Sequence, residues 1–182
     1  MSQMPKPEPE EKSERPCLEE CIPGLADAET WHEKADALLA AIADPSIIDA
    51  EDDFDLIVDD AFYALMHIDD LPDHTVDVMQ SLLVYEDHID SSHSNKMKAC
   101  DVLAYMGERA KTCLSTLHGN LSLAESDDGF DKTLALRSAR AIWKISCDPK
   151  CAVEVASRLL QDEEDWIANH AQSILAEIDS AI

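Results

Sequence analysis

The chain has 182 residues, 46% hydrophobic and only 5% aromatic, and a net charge of −25. That length and apolar share are enough for one domain with its own core, and a composition rich in Ala and Leu favours close-packed helices over a sheet. The four glycines, Gly24, Gly107, Gly119 and Gly129, cannot write a dinucleotide-binding or P-loop pattern, and the acidic balance opposes direct nucleic-acid binding, which needs a basic patch.

The charge is unevenly placed. Residues 1–34 carry nine acids against four bases, residues 35–95 carry sixteen acids and no Lys or Arg, and residues 96–182 carry fourteen acids against ten bases. Such a tract reads either as a solvated, solubility-promoting face or as a landing surface for something basic.

In chain order, residues 1–24 hold five of the eight prolines and a KPEPEEKSER run. This composition cannot offset its ordering entropy and predicts a disordered tail, whose end at Cys17–Pro23 packs locally on the first helix. The polar start does not match a signal peptide, and no run approaches the ~18 apolar residues of a membrane span. The expectation is therefore a cytoplasmic chain with reduced cysteines and no membrane association.

The folded domain is expected over residues 25–182. Trp31, Ala35, Leu38, Leu39 and Ile42 recur at helical spacing and predict a helix from Ala28 to Ala43, stopped by Pro45. An acidic connector, Asp49 to Asp53, leads to a helix over Phe54–Ile68. Pro72 opens the next, with Val76, Val78, Met79, Leu82 and Leu83 inward. After a polar stretch, 87–95, come helices over Lys96–Met106 and Ala110–Leu123, separated by Gly107, which suits the left-handed position closing a helix. A loop at 125–129 precedes helices over Asp131–Ser146 and Pro149–Leu160, and the last runs from Asp165 to Ile178.

One small pattern recurs in these helices: Ala61, Leu65, Ile68; Ala99, Leu103, Met106; Ser138, Ile142, Ile145; and Ala171, Leu175, Ile178. Each places a small residue and two large aliphatics on one helical face. Successive central positions lie 38, 39 and 33 residues apart, a period that marks stacked helical hairpins, because one hairpin cannot bury its own apolar face.

Residues 96–122 and 134–160 resemble HEAT repeats, with Ala99, Leu103, Met106 and Gly107 carrying the closest match. The resemblance spans about residues 28–180. It implies an all-α fold, a right-handed α-solenoid of about three to four HEAT-like hairpins whose second helices line a concave, protein-binding side.

His32-Glu33, followed by Ala35, Ala37 and Leu38, is similar to the His-Glu dipeptides of HEAT-fold diiron hydroxylases. Such a centre needs several pairs, yet His67, His74, His88, His93, His118 and His170 are not followed by Glu. The acids Asp49, Glu51, Asp53, Asp55 and Asp60 imitate a calcium loop but place Phe54 where the sharp turn wants Gly. Cys17/Cys21 and Cys147/Cys151 share a spacing that zinc allows, against the alternative of ordinary semi-exposed thiols; Cys100 and Cys113 are expected in the core. No catalytic, cofactor-binding or metal-ligating residue is assigned, and no cofactor is expected.

The leading expectation is a protein-binding scaffold whose acidic half holds a basic protein, with candidate contacts at Asp52, Asp53, Asp55, Asp59, Asp60, Asp73 and Asp77. Trp143 and Trp166 read either as packed contacts between repeats or as exposed aromatic anchors for that partner. Two alternatives stand beside it: an acidic mimic that occupies the groove of a DNA- or RNA-binding protein, and an enzyme resembling HEAT-fold bilin lyases or hydroxylases. The oligomeric state is not specified by the sequence.

Overall fold

The computed structural model describes residues 17–44, 54–85 and 91–181, all helical or turn, with no strand among the described residues. The elements are α1 (Leu18–Cys21), α2 (Trp31–Ala43), α3 (Phe54–Leu65), α4 (Thr75–Val84), α5 (Ser91–Met106), α6 (Leu114–Gly119), α7 (Gly129–Ser146), α8 (Lys150–Leu159) and α9 (Asp165–Ala181). Two 3-10 segments, Gly107–Cys113 and Asn120–Glu125, flank α6.

Helix α2 starts three residues later than the apolar spacing predicts, because Thr30 caps it. Thr30 Oγ1 accepts from Glu33 N at 3.2 Å, and the Glu33 carboxylate accepts from Thr30 N at 2.9 Å, a reciprocal box that satisfies two otherwise orphaned donors. Ala35, Leu38, Leu39 and Ile42 face inward as expected, but Trp31 does not: it is 67% exposed.

Helix α5 begins at Ser91, five residues before the sequence-based boundary, and Asn95 within that added turn is buried. Gly107 closes it at φ +57°, the left-handed conformation that a side chain disfavours. The single helix expected over 110–123 is broken instead. Ala110 leaves helical geometry at φ −88°, ψ 16°, and the second break falls at Gly119–Asn120, where two weak helix formers adjoin. Asn120 Nδ2 donates to Ser138 Oγ at 3.1 Å, tying that break to α7.

Helix α7 lacks a closing glycine, and Cys147 adopts the left-handed conformation in its place, at φ 59°. Its N–H donates to Trp143 O at 2.8 Å, and Pro149 immediately precedes α8.

Helices α3, α5, α7 and α9 contact one another in succession. On the other side α4 contacts the 107–113 segment and α6, and the 120–125 segment contacts α8. The recurring triads form the centre of this packing. Ala61, Leu65, Ile68, Ala99, Leu103, Met106, Ser138, Ile142 and Ile145 are all buried. In the fourth copy Ala171 and Ile178 are buried, but Ile174 fills the central place and Leu175 is only half-buried. Ile22, inside the stretch read as tail, also joins the core together with Leu25 just after it, and α1 contacts α3. Residues 1–16, the 45–53 connector and 86–90 lie outside the described residues.

Polar contacts cross between successive helices at nearly one sequence interval. Lys98 pairs with Asp59, Tyr105 Oη donates to Ile68 O at 3.1 Å, and Arg137 pairs with Asp101. Cys100 Sγ lies 3.4 Å from Ser138 Oγ, and Arg140 pairs with Glu177. Each pair is separated by 36 to 39 residues.

Candidate functional site

Several acids of the C-terminal half meet cations of the same chain, while Asp127, Glu163 and Asp179 are exposed without an ion pair among the described residues. Asp101 meets Arg137 and Arg140, Asp162 meets Lys132 at 2.8 Å, and Glu125 meets Arg158 at 3.0 Å. Glu177 meets Arg140 at 2.6 Å and Lys144 at 2.8 Å. These two cations hold the Glu177 carboxyl down to about 2, the Arg140 hydrogen bonds contributing most. Burial pushes Asp101 the other way, above its ordinary value, against the pull of Arg137 and Arg140. His170, desolvated and beside both guanidiniums, is pushed down to about 4.

The N-terminal half is likewise matched in part. Lys98 reaches back to Asp59, and Arg109 reaches back to Asp73 at 2.7 Å and Asp70 at 3.4 Å while also bonding Leu71 O. His74 Nε2 lies 3.2 Å from Asp36. Asp60, Asp69 and Asp77 are exposed, and no cation of the described residues pairs with them. Of the sequence-derived contacts, Asp52 and Asp53 lie outside the described residues, as does the side chain of Asp55 on α3. Asp59 and Asp73 are spoken for by internal ion pairs, and Asp60 and Asp77 are open to solvent.

The two tryptophans singled out in the sequence are more committed than the acids. Trp143 is 8% exposed, packed in the core under the Lys144 ammonium, which lies 3.9 Å from its ring centroid. Trp166 is 45% exposed, with its Nε1 donating to Glu164 Oε2 at 2.6 Å and its ring 6.2 Å from that of Phe130. Gly129 admits this arrangement, since a Cβ there would come within 2.7 Å of the Trp166 ring.

A second exposed aromatic surface lies on the N-terminal half, at Trp31 and Tyr63. A cleft of about 510 Å³ opens between the start of α2, lined by Glu29, Trp31 and His32, and the turn after α3, lined by His67, Asp69 and Asp70. The Lys34 ammonium lies 4.9 Å from the Trp31 ring centroid. Tyr63, 64% exposed, packs on the His67 ring at 4.3 Å, and His67 Nδ1 lies 2.7 Å from Tyr63 O. The sequence places Trp31 in phase with the apolar spacing of α2, which does not reveal its exposure. The signal that separates it is the Thr30–Glu33 box, which makes Trp31 the first residue of the helix rather than part of its buried stripe.

The remaining chemical candidates disperse. The Glu33 carboxylate of the His32-Glu33 pair is taken up by the Glu29 and Thr30 backbone N–H groups, and these bonds hold its pKa below the ordinary value, Thr30 first. Cys100 and Cys113 are buried, and burial pushes the Cys100 thiol up to about 12. Among the described residues no three His, Cys, Asp or Glu side chains converge as a metal site, and no helix is long and apolar enough to cross a membrane. Comparison with protein-family models, curated proteins and solved structures finds no match, so the HEAT-type resemblance rests on the residues quoted for it.

Proposed function

We propose that this chain is a right-handed HEAT-type solenoid that binds a basic segment of another protein on its acidic N-terminal half and carries out no chemistry of its own. The solenoid reading draws support from the contacts that recur every 36 to 39 residues between α3, α5, α7 and α9, since stacked repeats meet at equivalent positions. The observation that carries the binding reading is the one-sided charge of residues 35–95, sixteen acids with no Lys or Arg. Within that stretch Asp60, Asp69 and Asp77 face solvent without an ion pair among the described residues, and the Lys and Arg side chains that reach its other acids, Lys98 and Arg109, come from outside it. Unneutralised surface charge of one sign attracts a partner of the other and speeds its arrival. The proposal includes a reducing, cytoplasmic setting, which the six unpaired cysteines suit.

The test is fluorescence anisotropy of a labelled nona-arginine peptide with the full chain and two charge-matched variants. Asp60→Asn/Asp69→Asn/Asp77→Asn and Asp127→Asn/Glu163→Gln/Asp179→Asn each remove three charges. The reading predicts at least about a five-fold loss of affinity for the first, a small change for the second, and weakening with salt throughout. Equal losses would reduce the acids to a diffuse polyanion and overturn it. Displacement of a bound nucleic-acid-binding protein by DNA would favour the mimic instead.

A further inference from the structure

The cleft beside Trp31 has features that the bulk acidity of the N-terminal half does not require. Three acids, Glu29, Asp69 and Asp70, line a concavity together with an indole that is 67% exposed. A tryptophan at the first position of a helix has no packing reason to stand there, and this one gives α2 no core contact.

Two classes of occupant are conceivable for a cleft at a helix start. An anion would use the free N–H groups and the positive end of the helix dipole. Here the capping box puts a carboxylate at that position: Glu33 N donates to Thr30 Oγ1, and the Glu33 carboxylate accepts from the Glu29 and Thr30 N–H groups at 2.8 and 2.9 Å, so its charge opposes an anion. With Glu33 added to the three lining acids, the field in the cleft is negative and selects a cation.

The chain also shows what sort of cation the ring accepts. The Lys34 ammonium lies over the Trp31 ring, 4.9 Å from the centroid, within the range of attraction to the ring quadrupole. The exposure of the indole leaves ring surface beyond that contact, bordered by carboxylates on the 69–70 side. Asp70 shares its charge with Arg109, but Asp69 has no cation among the described residues.

We infer that the cleft between Trp31 and Asp69–Asp70 is the seat for one arginine or lysine side chain of the basic segment, stacked on the Trp31 indole and hydrogen-bonded to the Asp69 carboxylate. This rests on the proposed binding of a basic segment and names where that segment is anchored. The exposed acids supply steering, and the cleft supplies the fixed contact. The Lys34 ammonium then shares the ring or yields it to the incoming cation.

The experiment uses the full chain and labelled nona-arginine and nona-lysine, titrated at several salt concentrations. Trp31→Ala, Trp31→Leu and Trp31→Tyr are compared with Asp69→Asn, and thermal melts check that each variant is folded. Trp31→Ala and Trp31→Leu are expected to weaken binding about five-fold with the salt slope unchanged, because no charge is lost, while Trp31→Tyr recovers part of the affinity. Asp69→Asn is expected to weaken binding and flatten the salt slope. Wild-type affinity in Trp31→Ala, or full recovery by Trp31→Leu, would overturn the anchor while leaving the acidic surface as a binding face. Absence of peptide binding by the wild type would overturn both.

Discussion

Arg140 on α7 grips Glu177 on α9 through two hydrogen bonds, Nε to Oε2 at 2.6 Å and Nη2 to Oε1 at 2.9 Å. Lys144, one turn along α7, adds a third contact to the same carboxylate at 2.8 Å. A guanidinium fork fits a carboxylate in a way an ammonium does not. Arg140→Met is expected to cost about 1–2 kcal/mol, reduced from a buried pair because these side chains are about one third exposed. Arg140→Lys should recover only part of it. Urea unfolding gives the comparison, and wild-type stability in Arg140→Lys would deny the fork its role.

His170 and Glu177 give acid unfolding two separate windows. The pKa of His170 falls from the ordinary 6.5 to about 4 on folding, so the unfolded chain binds more protons between those values and stability declines as pH drops from 6.5 towards 4. For Glu177 the pKa falls from 4.5 to about 2, so its contribution is intact above 4.5 and is lost as pH falls towards 2. Asp101, raised by burial, acts in the opposite sense, adding stability as pH falls through its raised pKa towards 3.8. Unfolding free energies of His170→Gln should vary less with pH between 6.5 and 4 than those of the wild type. Parallel curves would assign that slope to other groups.

The fourth copy of the small-residue triad supplies a sharper packing test. Ile174→Ala removes a buried side chain and is expected to cost about 2–5 kcal/mol, whereas Leu175→Ala, at a half-buried position, should cost clearly less. If the written pattern set the packing here, the order would be reversed.

Gly107 separates backbone strain from crowding. A Cβ there would meet nothing closer than Lys144 O at 3.8 Å, so Gly107→Ala suffers only from its φ of +57°. A loss of about 1–2 kcal/mol is expected, with a smaller one for Gly107→Asn, which tolerates left-handed geometry better. A neutral Gly107→Ala in thermal melts would show that α5 can close in another conformation.

These residues also mark how far the sequence could be read. The triads at 61–68, 99–106 and 138–145 were legible because three buried positions on one face leave a strong period, and tertiary packing keeps it. The fourth was legible only as a helix: the amphipathic stripe of α9 admits either Ile174 or Leu175 at the centre, and it is Ile174 that is buried. The break at Gly119–Asn120 went unread because an apolar spacing of 114, 117, 121 and 124 suits a regular helix as well as a broken one. Among the candidate contacts, acidity was legible but pairing was not, since Asp59 and Asp60 are neighbours and only Asp59 meets Lys98. The exposure of Trp31 went unread because periodicity sees its phase and misses the cap at Thr30.

The most direct test of the account is an NMR titration of the isotope-labelled full chain with nona-arginine, followed at every backbone amide. The account predicts shifts concentrated at residues 29–36 and 60–77, around Trp31, Asp60, Asp69 and Asp77, with the helices over 129–181 unmoved. Shifts confined to 129–181, or spread evenly over the whole surface, would contradict it.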